Sequence, residues 1–361
     1  MAIPKDSKSE TTFMRGARSF LAGRFETLAR EPLDDGWTPE EREERPLQTQ
    51  VTIERARTIL SHNDSPDVGF DTSINPYRGC EHGCIYCYAR PSHAYLELSP
   101  GLDFESKLFA KTNAPELLRE ALAKPGYKPS PIALGANTDC YQPIERKYRI
   151  TRSILEVLAE CAHPVTIVTK SALIERDLDL LGPMAAQNLV RVFVSIGTLD
   201  RELARKLEPR AASPQRRLDI LKKLKENHVP CGVMVAALIP ALNDKTMEHV
   251  LEAAAEAGAE EAAYVIMRLP NELKDLFKEW LAAHYPDRAQ HVISIVHQMR
   301  GGRDNDPRFG TRMTGTGNFA ELIDKRFAIA CRRLGLNRQT WGELDCARFR
   351  PPAAGPQLDL F

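Results

Sequence analysis

The chain has 361 residues, and its 49 Lys and Arg balance 49 Asp and Glu, so the formal net charge is zero. No global field draws polyanions to it, and binding to nucleic acid would need a local patch. No apolar run reaches membrane-spanning length and the first thirty residues hold none, which predicts a cytoplasmic protein with no leader and no membrane contact.

Residues 1–50 are charged, punctuated by proline and poor in periodicity, and read as an irregular, solvated arm. From residue 51 order sets in. GFDTSIN (69–75) and PIALGAN (131–137) are short strand candidates, and RSILEVLAECAH (152–163) has helical spacing. PVTIVTK (164–170), LVRVFVSIG (189–197), CGVMVAALI (231–239) and EAAYVIMRL (261–269) are apolar or β-branched strand runs. Between them lie helical stretches at 175–188, 214–229 and 244–258. Ser213 stands as a natural N-cap before Pro214, and Gly258 as a stop. Strands alternating with helices indicate a mostly parallel α/β sheet. Six such units fall short of the eight that close a full barrel, so the fold class predicted over 51–300 is an α/β partial (β/α)6 barrel. Residues 301–350 form a basic loop–helix extension, with eleven Lys and Arg against six Asp and Glu over 300–350. Arg300, Arg303, Arg308 and Arg312 are candidate phosphate contacts there. Residues 351–361 begin as a Pro/Gly linker and end apolar.

Of the eight cysteines, three crowd into NPYRGCEHGCIYCYARP (75–91): Cys80, Cys84 and Cys87, spaced x3 and x2 just after the first strand. Three thiolates at this spacing can hold three irons of a [4Fe–4S] cube and leave the fourth iron open for chemistry. Gly79 and Gly83 allow close backbone approach and unusual φ values. A structural zinc would want a fourth ligand, to be borrowed from His82, His93 or Cys140. The other cysteines lie far apart and read mostly as core.

CxxxCxxC with an aromatic, Tyr86, before the last cysteine resembles the radical S-adenosylmethionine (SAM) superfamily. The resemblance covers roughly residues 60–300. It implies a [4Fe–4S] cluster and SAM as cofactors, reductive cleavage of SAM to a 5′-deoxyadenosyl radical, and a reductant protein such as a flavodoxin or ferredoxin. The run INPYRGCEHGCIYCYARPSHAYLELSPGLDFESKLFAK is most similar to the branch that contains spore photoproduct lyase, in which a tyrosine follows the third cysteine, here Tyr88. That branch implies a hydrogen-relaying role for Tyr88 and a DNA base lesion as substrate.

The same resemblance implies SAM contacts from a hydroxyl after the second strand, a lysine after the third and a serine on the fourth. Thr138, Lys170 and Ser195 occupy those positions, and Tyr86 would touch the adenine. The lyase takes its hydrogen donor from a cysteine three residues before an aspartate. Registered on Asp139, that position holds Ala136, while Cys140 follows the aspartate as a shifted candidate donor. This departure bears on the substrate, not on the SAM chemistry. The closing QLDLF resembles a bacterial sliding-clamp binding motif, with Leu358, Leu360 and Phe361 as anchors and Gln357 as a polar reader. The expectation is a radical enzyme acting on a DNA lesion, with radical modification of RNA, protein or a small molecule, and a non-catalytic clamp adaptor, as the alternatives.

Overall fold

The computed structural model describes residues 15–26, 47–338 and 341–352. Ten strands occur in these residues: β1 (Gln50–Ile53), β2 (Leu60–His62), β3 (Thr72–Ile74), β4 (Tyr77–Arg78), β5 (Lys107–Ala110), β6 (Ile132–Leu134), β7 (Val165–Thr169), β8 (Val190–Ser195), β9 (Cys231–Leu238) and β10 (Glu261–Ile266). Seven form one sheet in the order β10-β9-β8-β7-β6-β3-β2. The six from β3 to β10 are parallel, and β2 adds antiparallel to β3. This is the expected six-unit partial barrel. A second sheet, β1-β5-β4, which the sequence reading does not anticipate, lies beside the cysteine segment.

Alternation along each strand separates two faces. Val165 and Ile167 of β7 and Val190, Val192 and Val194 of β8 join the main core with the crossover helices. Helices Ala114–Leu122, Ile150–Glu160, Leu178–Ala185, Pro214–Glu226 and Met247–Glu256 make those crossovers. Ser213 caps the fourth, its side chain accepting from the Arg216 N–H, with Pro214 at the first helical position. Two helices that the sequence reading leaves unassigned, Leu273–His284 and Pro286–Met299, follow β10. They carry a second core around Phe277 and Trp280.

Three segments outside the βα units turn out to be built in. The first is the arm. Arg15, Gly16 and Ala17 are buried, and a Cβ on Gly16 would collide with the Gly83 carbonyl. Residues 15–17 are therefore packed against the cysteine loop, and a freely solvated arm is not what they form.

The second is the Arg-rich loop, which spans the seam between β10 and the β2–β3 connection. The Ile266 N–H donates to Met313 O at 2.9 Å. On the other side, Asp67 accepts from the Gly310 N–H at 2.6 Å and pairs with Arg312. Arg300 is buried, and its guanidinium donates to the carbonyls of Met267, Thr311 and Arg312 at 2.8–3.0 Å. Arg300 and Arg312 are thus structural clamps, not open phosphate contacts. Arg303 and Arg308 remain exposed.

The third is the segment from 341 to 350, which crosses the N-terminal ends of the strands. The Trp341 ring stands edge-on to Phe193 at 5.7 Å, and its N–H groups donate to Glu260 and Glu261. Asp345 N–H donates to Asn188 O, and Arg350 N–H to Cys161 O. Phe349 packs on Tyr127 and His163. This strap floors the barrel. Gln357, Leu358, Leu360 and Phe361 lie outside the described residues. Among the described residues no helix is long and apolar enough to cross a membrane.

Candidate active site

The cysteine loop runs from β4 to the 3-10 helix Arg90–Leu96. Cys80 and Cys84 are buried and Cys87 is half-buried. Successive turns fold the loop: the Cys87 N–H donates to Cys84 O and the Arg90 N–H to Cys87 O, both at 3.2 Å. Gly79 and Gly83 take left-handed φ values of 73° and 68°. A Cβ on Gly79 would lie 2.8 Å from Phe104 O, and one on Gly83 2.6 Å from a Glu105 carboxylate oxygen. Both positions need glycine for conformation and for space.

Arg90, which the sequence reading passes over, organises the loop. It is fully buried. Its five N–H donors reach Cys84 O (2.9 Å), Gly83 O (3.0 Å), Pro100 O (3.2 Å), Gly101 O (3.0 Å) and Glu105 (2.5 Å). Glu105 is equally buried and also accepts from the Gly16 and Ala17 N–H groups at 2.8 and 2.7 Å. The pair is satisfied on both sides, which a buried ion pair requires.

The donor set fits an iron–sulfur cluster. Burial, followed by the Asp139 charge and the neighbouring cysteines, raises the Cys80 thiol well above its usual range. Burial also pushes the Cys84 thiol up to about 12, against the pull of Lys170. Three thiols crowded together in a dry loop become good thiolates only around a cation. Among the described residues no three His, Cys, Asp or Glu side chains converge as one ion demands, whereas a cube takes its sulfurs on separate corners. His82 faces Asp139 at 3.3 Å, His93 is occupied by the Lys107 carbonyl, and Cys140 is fully buried in the main core.

Beside the loop, the C-terminal ends of β7, β8 and β9 bring together three of the four residues that the resemblance marks for SAM. Lys170 holds its ammonium 5.9 Å from the centre of the Tyr86 ring. The Tyr86 hydroxyl donates to Glu208 and lies 3.5 Å from Ala236 O, which also accepts from the Ser195 hydroxyl at 3.1 Å. Thr138 stands apart, its hydroxyl donating to Tyr77 O at 3.1 Å. Two further charged residues complete the cluster. Glu208 is buried and accepts from Arg217, whose guanidinium also donates to Ser195 O at 2.9 Å. Burial opposes ionisation of Glu208, yet Arg217 and Lys170 hold its pKa below the usual value. The sequence carries a sign of this pair: Arg217 occupies the apolar stripe of its helix, in register with Leu221 and Leu224.

Asp139 ties the ends of β6 and β7. It accepts from the Thr169 hydroxyl at 2.8 Å, the Lys170 N–H at 2.7 Å and the Tyr141 N–H at 2.9 Å. Burial raises its pKa, but His82 and these donors outweigh burial and bring it down to about 2. Tyr88 is 46% exposed, and its hydroxyl donates to Ala136 O. Its ring lies under the Arg268 guanidinium, 5.0 Å away. Tyr88 thus reaches the register position of the missing donor, whereas Cys140 packs behind the strand ends, its carbonyl accepting from the Thr151 hydroxyl at 2.6 Å.

A parallel partial barrel with a three-cysteine loop at its C-terminal mouth defines a class, and comparison with known proteins agrees. The Radical SAM superfamily profile matches residues 74–254. The fold is similar to that of spore photoproduct lyase complexed with dinucleoside spore photoproduct, with a TM-score of 0.56 and 16% identity over 79% of this chain and 80% of that one. The chain belongs to the Radical SAM superfamily, whose cofactors are a [4Fe–4S] cluster and SAM. It is 38% identical over 220 residues to an uncharacterized protein of Mycobacterium tuberculosis, covering 60% of this chain and 65% of that relative's length. It is 29% identical over 248 residues to an uncharacterized protein of Methanocaldococcus jannaschii, covering 69% of this chain and 89% of that one.

Two outcomes follow. Lysine cannot reproduce five bonds from a planar fork, so Arg90→Lys should lower unfolding free energy by about 3 kcal/mol and reduce iron retained after reconstitution. Urea denaturation and iron analysis measure both, and an unchanged iron content would refute the organising role of Arg90. The folded pKa of Asp139 lies below its unfolded value, so its stabilisation is complete above about pH 4 and is lost as pH falls through about 2. Asp139→Asn should therefore cost about 2 kcal/mol at pH 6, and the gap to wild type should narrow toward pH 2 in urea titrations. A gap that does not depend on pH would contradict this.

Proposed function

We propose that this protein performs radical chemistry on a nucleobase lesion in DNA, in the manner of spore photoproduct lyase. The observation that carries the reading is Tyr88: a half-exposed phenol held at the barrel mouth, beside the cysteine loop, with its hydroxyl on Ala136 O. In this reading Cys80, Cys84 and Cys87 hold the cluster, and cluster and SAM together supply a 5′-deoxyadenosyl radical at the mouth. Lys170 offers its ammonium to the carboxylate of SAM. Glu208 and Arg217 fix the Tyr86 hydroxyl and the Ser195 carbonyl, so the aromatic wall and the β8 end stay in register. Tyr88 is the candidate hydrogen relay of this reading: its phenol would pass a hydrogen atom to the substrate radical and, as a tyrosyl radical, would take one back from 5′-deoxyadenosine, while its Ala136 contact orients the hydroxyl. Cys140 takes no part in this reading, because it is fully buried in the core.

The decisive assay is anaerobic. The reconstituted protein is given reductant and SAM, and 5′-deoxyadenosine is quantified with intact and with ultraviolet-irradiated DNA. Formation that rises severalfold with irradiated DNA alone is expected. Equal, slow formation on both would move the substrate away from these lesions and favour RNA, protein or a small molecule.

Recruitment by the sliding clamp belongs to the same proposal and rests on the sequence QLDLF. Deleting Gln357–Phe361 should abolish binding to a purified bacterial clamp in surface plasmon resonance. Unchanged binding would remove the tail from the proposal.

A further inference from the structure

Arg268 lies two residues beyond β10, at the rim of the mouth, and is half-buried. One face of its guanidinium covers the Tyr88 ring. Among the described residues no acceptor hydrogen-bonds its N–H donors and no carboxylate pairs with it. The nearest acid that influences it, Asp67, is already engaged by Arg312 and the Gly310 N–H. Arg268 has two cationic neighbours: Arg312 lowers its pKa after burial does, and burial and then Arg268 bring the Arg300 pKa down to about 10. Arg300 is satisfied by carbonyls, which cancel none of its charge. The rim next to Tyr88 therefore carries a surplus of positive charge and one guanidinium with its edge unused.

A half-buried, unpaired guanidinium is costly to keep, and a planar fork with one face stacked on an aromatic ring has its donors aligned for a two-oxygen acceptor. We propose that Arg268 binds a phosphodiester group of the substrate strand, and so positions the flanking base over Tyr88. This rests on the DNA reading above and adds the group through which the strand is registered. Arg268 is in this sense a binding residue. Of the other two arginines on the loop that follows, Arg303 is exposed, while Arg308 is paired with Asp306 at 2.8 Å and adds no free charge.

The test uses the full reconstituted protein and a fluorescein-labelled, ultraviolet-irradiated oligothymidylate, with fluorescence anisotropy read across a salt series. Wild type is compared with Arg268→Gln, Arg268→Lys and, as a control, Arg333→Gln on the exposed face of the 318–334 helix. Arg268→Gln should weaken binding about tenfold and reduce the log–log salt slope by about one contact. Arg268→Lys should keep the slope and lose affinity, because the charge remains and the fork is gone. Iron content and urea midpoint establish that each variant is folded. If Arg268→Gln matches wild type in slope and affinity, Arg268 is not the phosphate contact and the lesion-repair reading stands. If Arg268-dependent binding is found but SAM cleavage ignores the lesion, the phosphate site stands and the lesion reading falls. If wild type binds no oligonucleotide, both are overturned.

Discussion

The buried pair of Arg90 and Glu105 is the interaction on which the reactive end of this molecule depends. It draws together four stretches of chain that share no regular hydrogen bonding: residues 15–17, the cysteine loop, the Pro100–Gly101 turn and the helix Leu102–Ser106. Irregular backbone in a dry place must find partners for its N–H and C=O groups. Here one guanidinium and one carboxylate provide them. Three thiols can then be held close without a strand or helix to carry them.

A second layer of paired charge surrounds the side of the mouth around Tyr86. Lys170, Glu208 and Arg217 lie at or near the ends of β7 and β8, and the Glu208 carboxylate lowers the cost of burying both cations, as they lower its own. Asp139 performs the same service one strand over, through the Lys170 backbone. The mouth therefore keeps fixed polarity where solvent is thin, which is the condition under which preorganised dipoles act strongly. This order comes from pairs rather than from exposed, water-screened charges.

Much of this was legible in the sequence. The β-branched runs at 164–170 and 189–197 alternate with period two and lie between helices, so β7 and β8 could hardly be anything else. The cysteine spacing pointed to the cluster, and the family resemblance singled out Lys170 and Ser195, which the fold brings beside Tyr86. Arg90 and Glu105 were not legible, because a loop has no period against which a buried charge stands out. Arg15–Ala17 read as solvated arm, and 341–350 as part of a basic extension, because each is tied down by contacts made far away in sequence. Arg300 and Arg312 show the limit of counting charge: an arginine that donates to carbonyls, or pairs with an aspartate brought in by the fold, has the same letter as one that faces a ligand.

The strap beneath the barrel has a consequence for oxygen. A partial barrel is open at both ends, and a gas molecule that entered from below could travel along the strands to the sulfur end without passing the substrate. Trp341, edge-on to Phe193 and hydrogen-bonded to the acidic pair at the start of β10, stands in that route. Gly232 lets the Phe193 ring lie close against β9, since a Cβ there would meet the ring at 2.6 Å. The plug leaves the mouth as the exposed approach for an oxidant, so that whatever fills the mouth also shields the cysteine loop.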